Sequence, residues 1–219
     1  MEHLHETTPN KSKKERNVDS VSLSVIHYTG SMSMSGTASW FKNPDAKVSA
    51  HYVIGRQGEV IQFGHRSTTC WHAGKSEWAG RKWCNKYSLG YELVGTSTSG
   101  FMSDQYDSLF KLIFEDLSHC PIEAVVGHEQ IAPGRKVDPG GGFNWQWLQE
   151  KLEHADWSES LAENKLRQIG TKVYSDVVNT KRVVPVEKPL VGVDDATISA
   201  EAPKESMSQG KDDPWWRVW

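Results

Sequence analysis

Between Val21 and Ala155, short strand-like runs alternate with segments of helical period, and this alternation sets the fold class. Val21, Leu23 and Val25 alternate with serines and read as a strand that runs out at His27-Tyr28-Thr29-Gly30. Ser31 to Gly36 reads as a loop, and Thr37 to Lys42 as a short helix closed by Asn43-Pro44. His51 to Gln62 reads as a hairpin turning at Arg56-Gln57-Gly58. Residues 64–87 read as one long loop, and long loops inside compact domains are often functional. Leu89, Tyr91 and Leu93 alternate with Gly90, Glu92 and Val94, which predicts a strand with Glu92 on the face opposite the large residues. Ser103 and Asp104 open a helix whose Tyr106, Leu109, Phe110, Ile113 and Leu117 share one face. Ala124-Val125-Val126 is a short strand ending at Gly127-His128, and residues 131–142 form a Gly/Pro loop. Asn144 is placed to cap a last helix with Trp145, Leu148, Leu152 and Ala155 on one side. The expected fold is α/β, a mixed central β-sheet flanked by helices.

At 219 residues the chain has room for one full domain and some surplus. Residues 1–17 are polar and basic and read as a disordered arm. The main folded domain is expected over 18–157. A C-terminal extension follows over 158–219, partly helical at 158–170, linker-like over 181–212, and ending in Trp215-Trp216-Arg217-Val218-Trp219. The net charge of -3 gives no basic field for nucleic acid. No apolar run is long enough to span a bilayer, and the N-terminus lacks the apolar stretch of a Sec signal, so the chain is expected in the cytoplasm at synthesis. Cys70, Cys84 and Cys120 form no CxxC pair and read as reduced, mostly buried thiols. Ten tryptophans exceed what a core needs, and some are suited to a groove for sugar or peptide.

Of nine histidines, His27 and His128 stand apart because each ends a predicted strand, where a side chain is held firmly enough for a metal. Asp138 follows His128 by ten residues. Two imidazoles and one carboxylate make a three-ligand zinc set with a fourth position left for water. Asp138 is equally at home as a turn residue before Pro139-Gly140, and the residues alone leave both readings open. Glu92 is a carboxylate on an apolar strand, which is costly unless it has a partner or a task. Lys136 lies two residues before Asp138 and is either near the metal or an ordinary surface lysine.

Five blocks then stand in order: SVIHYTG, VSAHYVIGRQGEVIQ, CWHAGKS, WCNKYSLGYELVG and GHEQIAPGRKVDPGGGFNW. Over Val21 to Trp147 they resemble the type 2 N-acetylmuramoyl-L-alanine amidases, a family that includes AmpD-like muropeptide amidases, phage lysozyme-type amidases and peptidoglycan recognition proteins. The resemblance implies one catalytic Zn2+ held by His27, His128 and Asp138, with Glu92 as the catalytic base and Lys136 stabilising the oxyanion. It implies hydrolysis of the amide between the lactyl group of N-acetylmuramic acid and L-alanine of the peptidoglycan stem peptide. His51, Trp71, His72, Asn85 and Arg135 are weaker substrate-cleft candidates. The phage branch carries a tyrosine where this chain has Ala50, so Glu92 takes more of the proton work.

A non-catalytic peptidoglycan-recognition module is the rival reading, disfavoured because the ligand set, Glu92 and Lys136 are intact. Within the enzyme class, a cytosolic anhydro-muropeptide recycling amidase stands against a cell-wall lytic enzyme. The lytic form would be an endolysin, or an antibacterial effector exported by a non-Sec route with a secretion or immunity partner on the C-terminal extension. The basic arm and that extension favour the lytic form.

Overall fold

The computed structural model describes residues 3–155. In chain order the elements are β1 (Leu4–His5), β2 (Leu23–Tyr28), α1 (Met34–Lys42), β3 (Tyr52–Ile54) and β4 (Val60–Gln62). They continue as β5 (Glu77–Trp78), β6 (Arg81–Lys82), β7 (Ser88–Leu93), α2 (Ser103–His119), β8 (Ala124–Gly127), α3 (His128–Ile131) and α4 (Trp145–Glu153). Six strands form one sheet in the order β1-β4-β3-β7-β2-β8. Only the β3–β4 hairpin is antiparallel; the other pairings are parallel, so the sheet is mixed as expected.

Strands β2 and β7 are buried along their whole length, because parallel central strands are covered on both faces. Ile26, Tyr52, Ile54, Leu89, Tyr91 and Leu93 pack with Leu109, Leu112 and Ile113 of α2 and with Leu148 and Leu152 of α4. Val53 and Ile61 point the other way and pack with Ala38 and Phe41 of α1. Side chains alternate along a strand, so His27 and Glu92 lie on the face away from α2. All three cysteines are buried. Among the described residues no helix is long and apolar enough to cross a membrane.

Three boundaries differ from the sequence expectation. Helix α1 starts at Met34 rather than Thr37, because the Ser33 hydroxyl accepts from the Gly36 N–H and caps it. Residues 64–87 are not all loop: β5 and β6 pair around Ala79-Gly80, both at positive φ, in strands too short to show a period. His128 opens the single turn α3 instead of a loop. The predicted helix at 158–170, the linker and the aromatic terminus lie outside the described residues.

The expectation of a disordered arm over 1–17 is corrected by the structure. Leu4 and His5 pair with Ile61 and Gln62 at the sheet edge. Thr8 Oγ1 and Asn10 Nδ2 donate to the Phe41 carbonyl, and Asn10 also reaches Asn43 O, which satisfies carbonyls left open at the end of α1. Half-buried Arg16 donates to the carbonyls of Arg66, Asn85 and Ser88. Its charge is used as a fixed fork for backbone, which composition cannot distinguish from a solvated arm. Arg16→Ala is expected to lower unfolding free energy by about 2–4 kcal/mol, from three acceptors left short of a donor. The midpoint of urea denaturation measures this, and an unchanged midpoint would mean the arm adds nothing to the fold.

Candidate active site

Strands β7, β2 and β8 run parallel and end side by side. The register sets His27 against Glu92 on one side and Ile26 against Gly127 on the other, so His128 comes one step past Gly127 at the level of His27. Three strand ends therefore present Glu92, His27 and His128 in a row, at the carboxyl edge where open α/β sheets bind ligands. Asp138 reaches the row from the loop after α3. A Cβ on Gly127 would lie 2.7 Å from Pro139 Cδ, so glycine lets that loop close against β8. The Glu129 N–H donates to the Asp138 carbonyl at 2.9 Å and pins the loop there.

His27 Nδ1 and His128 Nδ1 are 2.9 Å apart, and Asp138 Oδ2 lies 3.0 Å from the first and 3.1 Å from the second. All three residues are buried. The His128 Nε2–H donates to the Ala73 carbonyl at 3.2 Å, so a neutral ring turns the Nδ1 lone pair toward the other two atoms. Lone-pair atoms at this spacing repel unless a cation lies among them. Tetrahedral zinc with bonds of about 2.0–2.1 Å spaces its ligand atoms about 3.3 Å apart. The donor set thus fits zinc in type, number and spacing.

The electrostatics agree with a cation site. Burial, then the neighbouring His128, push the His27 imidazole down to about 4, keeping it neutral and able to ligate. Burial works to raise the Asp138 carboxyl, but the adjoining His128 and His27 rings prevail and hold it well below the usual range. Glu92 is fully buried, and among the described residues neither carboxylate oxygen has a hydrogen-bond partner. Burial, with the Asp138 charge, raises it well above an ordinary glutamate, while Lys136 works in the opposite direction. Lys136 is itself buried, which lowers its ammonium.

The weaker candidates fall into different places. His51 and His72 lie buried inside the domain. His51 Nδ1 accepts from the Gly90 N–H and its Nε2 donates to Thr68 O. His72 uses Nδ1 with His27 and Nε2 with Ser88. Neither ring has a nitrogen left for a ligand. Asn85 Oδ1 accepts from the N–H groups of His72 and Ala73 and so supports that loop. Trp71 is half-buried, and its N–H donates to Ser49 Oγ. Arg135 is exposed, and its Nη2 donates to the carbonyls of Ala73 and Lys75. The sequence reading missed the Ala73 carbonyl behind His128. The WHAG block marked the segment, but a backbone acceptor leaves no trace in residue type.

The profile of the N-acetylmuramoyl-L-alanine amidase family matches residues 17–141. The 1,6-anhydro-N-acetylmuramyl-L-alanine amidase AmpD of Salmonella typhimurium is 42% identical over 101 residues, 45% of this chain and 54% of that protein. The chain thus spans about half the length of the curated relatives it matches. A solved AmpD structure superposes with a TM-score of 0.61 at 31% identity, covering 68% of this chain and 93% of that one. Escherichia coli AmiD, solved with anhydro-N-acetylmuramic acid-L-Ala-D-gamma-Glu-L-Lys, superposes with a TM-score of 0.56 at 27% identity, covering 64% of this chain and 60% of that one. Taken with the five sequence blocks and the shared mixed sheet, these matches show that the chain belongs to the type 2 N-acetylmuramoyl-L-alanine amidase family.

Proposed function

We propose that the chain is a zinc-dependent amidase that cuts between the lactyl group and L-alanine of soluble anhydro-muropeptides. The observation that carries this is the buried His27–His128–Asp138 triangle beside a carboxylate, Glu92, whose oxygens have no hydrogen-bond partner among the described residues. Zinc, when bound, supplies an acidified water and polarises the amide carbonyl. Glu92 takes the proton of the attacking water and returns it to the departing L-alanine amine. A carboxyl raised by burial is tuned for both halves of that exchange. Lys136 brings a cation to the oxygen that gains charge in the transition state.

The substrate class rests on the names of the relatives, which specify the 1,6-anhydro sugar. The lytic reading drew on a free basic arm, and that arm is packed into the domain. Its other support, the extension, lies outside the described residues. Parallel assays on an anhydro-muropeptide and on whole sacculi test the choice. The soluble substrate is expected to be cut and the sacculi to stay largely intact. Sacculi dissolved at a matching rate would restore the lytic reading. Zinc-loaded protein inert on both would leave a recognition module.

A further inference from the structure

His27 can offer its Nδ1 lone pair to a cation only if its ring proton sits on Nε2. That Nε2 lies 3.0 Å from His72 Nδ1. His72 Nε2 in turn lies 3.1 Å from Ser88 Oγ, and the Ser88 hydroxyl donates to the Cys84 carbonyl at 2.7 Å. A carbonyl only accepts, so the Ser88 proton has one direction to point. The Ser88 oxygen is left to accept, His72 must donate from Nε2, and His72 Nδ1 is left bare to accept from His27. Every donor and acceptor in the series is then used once, with no proton misplaced.

We propose that His72 is a positioning residue that, through Ser88 and Cys84, fixes the tautomer and ring angle of the ligand His27. The inference rests on the zinc reading of the site. The slot for His72 is built for it. A Cβ on Gly90 would come within 2.5 Å of His72 Cγ, so only glycine admits the ring beside β7. Asn85 holds the His72 backbone from the other side. His27 and His72 meet edge to face, with centroids 5.1 Å apart. His128 has the Ala73 carbonyl in the corresponding place, one residue along the same segment. Residues 72 and 73 therefore orient both imidazoles of the donor triangle. No nitrogen of His72 reaches the triangle, so it acts through His27 alone.

The test is the zinc dissociation constant of the full chain, measured by competition with a chromophoric chelator. His72→Phe keeps the ring and removes the acceptor, and is expected to weaken zinc about 10–100-fold, the range for losing a group behind a metal ligand. His72→Asn can accept again and should recover part of the loss. Ser88→Ala should shift affinity the same way by less. Multiple-bond proton–nitrogen spectra of the zinc-loaded wild type give a check that needs no variant to fold. They should show His72 protonated on Nε2 alone. A folded His72→Phe that binds zinc as tightly as wild type overturns the positioning role while the metal reading stands. A proton on His72 Nδ1 overturns it as well. Wild type that holds no zinc ends both.

Discussion

Replacing His128 with alanine is expected to abolish zinc binding and hydrolysis together. Removing a group behind a ligand costs about 10–100-fold in affinity, and removing a ligand from a set of three must cost more. The fold should survive. Alanine is a good opener for the short α3, and Arg135 still donates to the Ala73 carbonyl that His128 leaves. The lost hydrogen bond accounts for about 1 kcal/mol. The effect is therefore separable from unfolding by titration calorimetry and by melting. Wild type should melt higher as zinc is added, since a ligand bound only by the native state raises its stability. The variant should not respond. Full zinc occupancy in folded His128→Ala would remove His128 from the ligand set.

Glu92→Gln should keep zinc and lose about 10²–10⁴-fold in turnover, the usual contribution of a general base. A second consequence has the opposite sign. An acid whose folded value lies above its unfolded value of about 4.3 binds its proton more tightly in the native chain. As pH rises past about 4, the unfolded chain releases that proton first, and folding becomes less favourable. Glutamine removes this dependence. In metal-free protein the variant should match wild type near pH 4 and exceed it increasingly toward neutral pH, by about 2–4 °C in melting temperature for each ~1 kcal/mol relieved. Loss of activity with a gain of stability is what a residue kept for chemistry predicts. Near-normal turnover would mean another group moves the proton. A variant less stable than wild type at neutral pH would mean Glu92 has a structural partner.

Much of the architecture was legible because period-two runs such as Val21, Leu23 and Val25 announce strands, and the face of Leu109, Ile113 and Leu117 announces a helix. The place of Glu92 opposite Leu89, Tyr91 and Leu93 followed from the same pleat. Periodicity does not report which strands are neighbours. That β2 lies between β7 and β8, and so lines up Glu92, His27 and His128, depends on pairings 65 and 101 residues apart in the chain. The arm was misread for a related reason. Arg16 looks solvated by composition, and its carbonyl acceptors come from segments 50, 69 and 72 residues away. His72 is similar: a histidine in WHAG reads as a substrate-cleft candidate until Gly90, far along the chain, makes room for its ring.

The strand order also has a consequence at the ribosome. The central strand is synthesised at residues 23–28, but its two flanking partners follow only at 88–93 and 124–127. An apolar strand of the growing chain thus waits for its partners while some 60 further residues are made, the situation in which nascent proteins are prone to stick together and need chaperones. The proposed zinc donors are complete only once the ribosome has passed residue 138. Any truncated product ending earlier would leave the ion in solution.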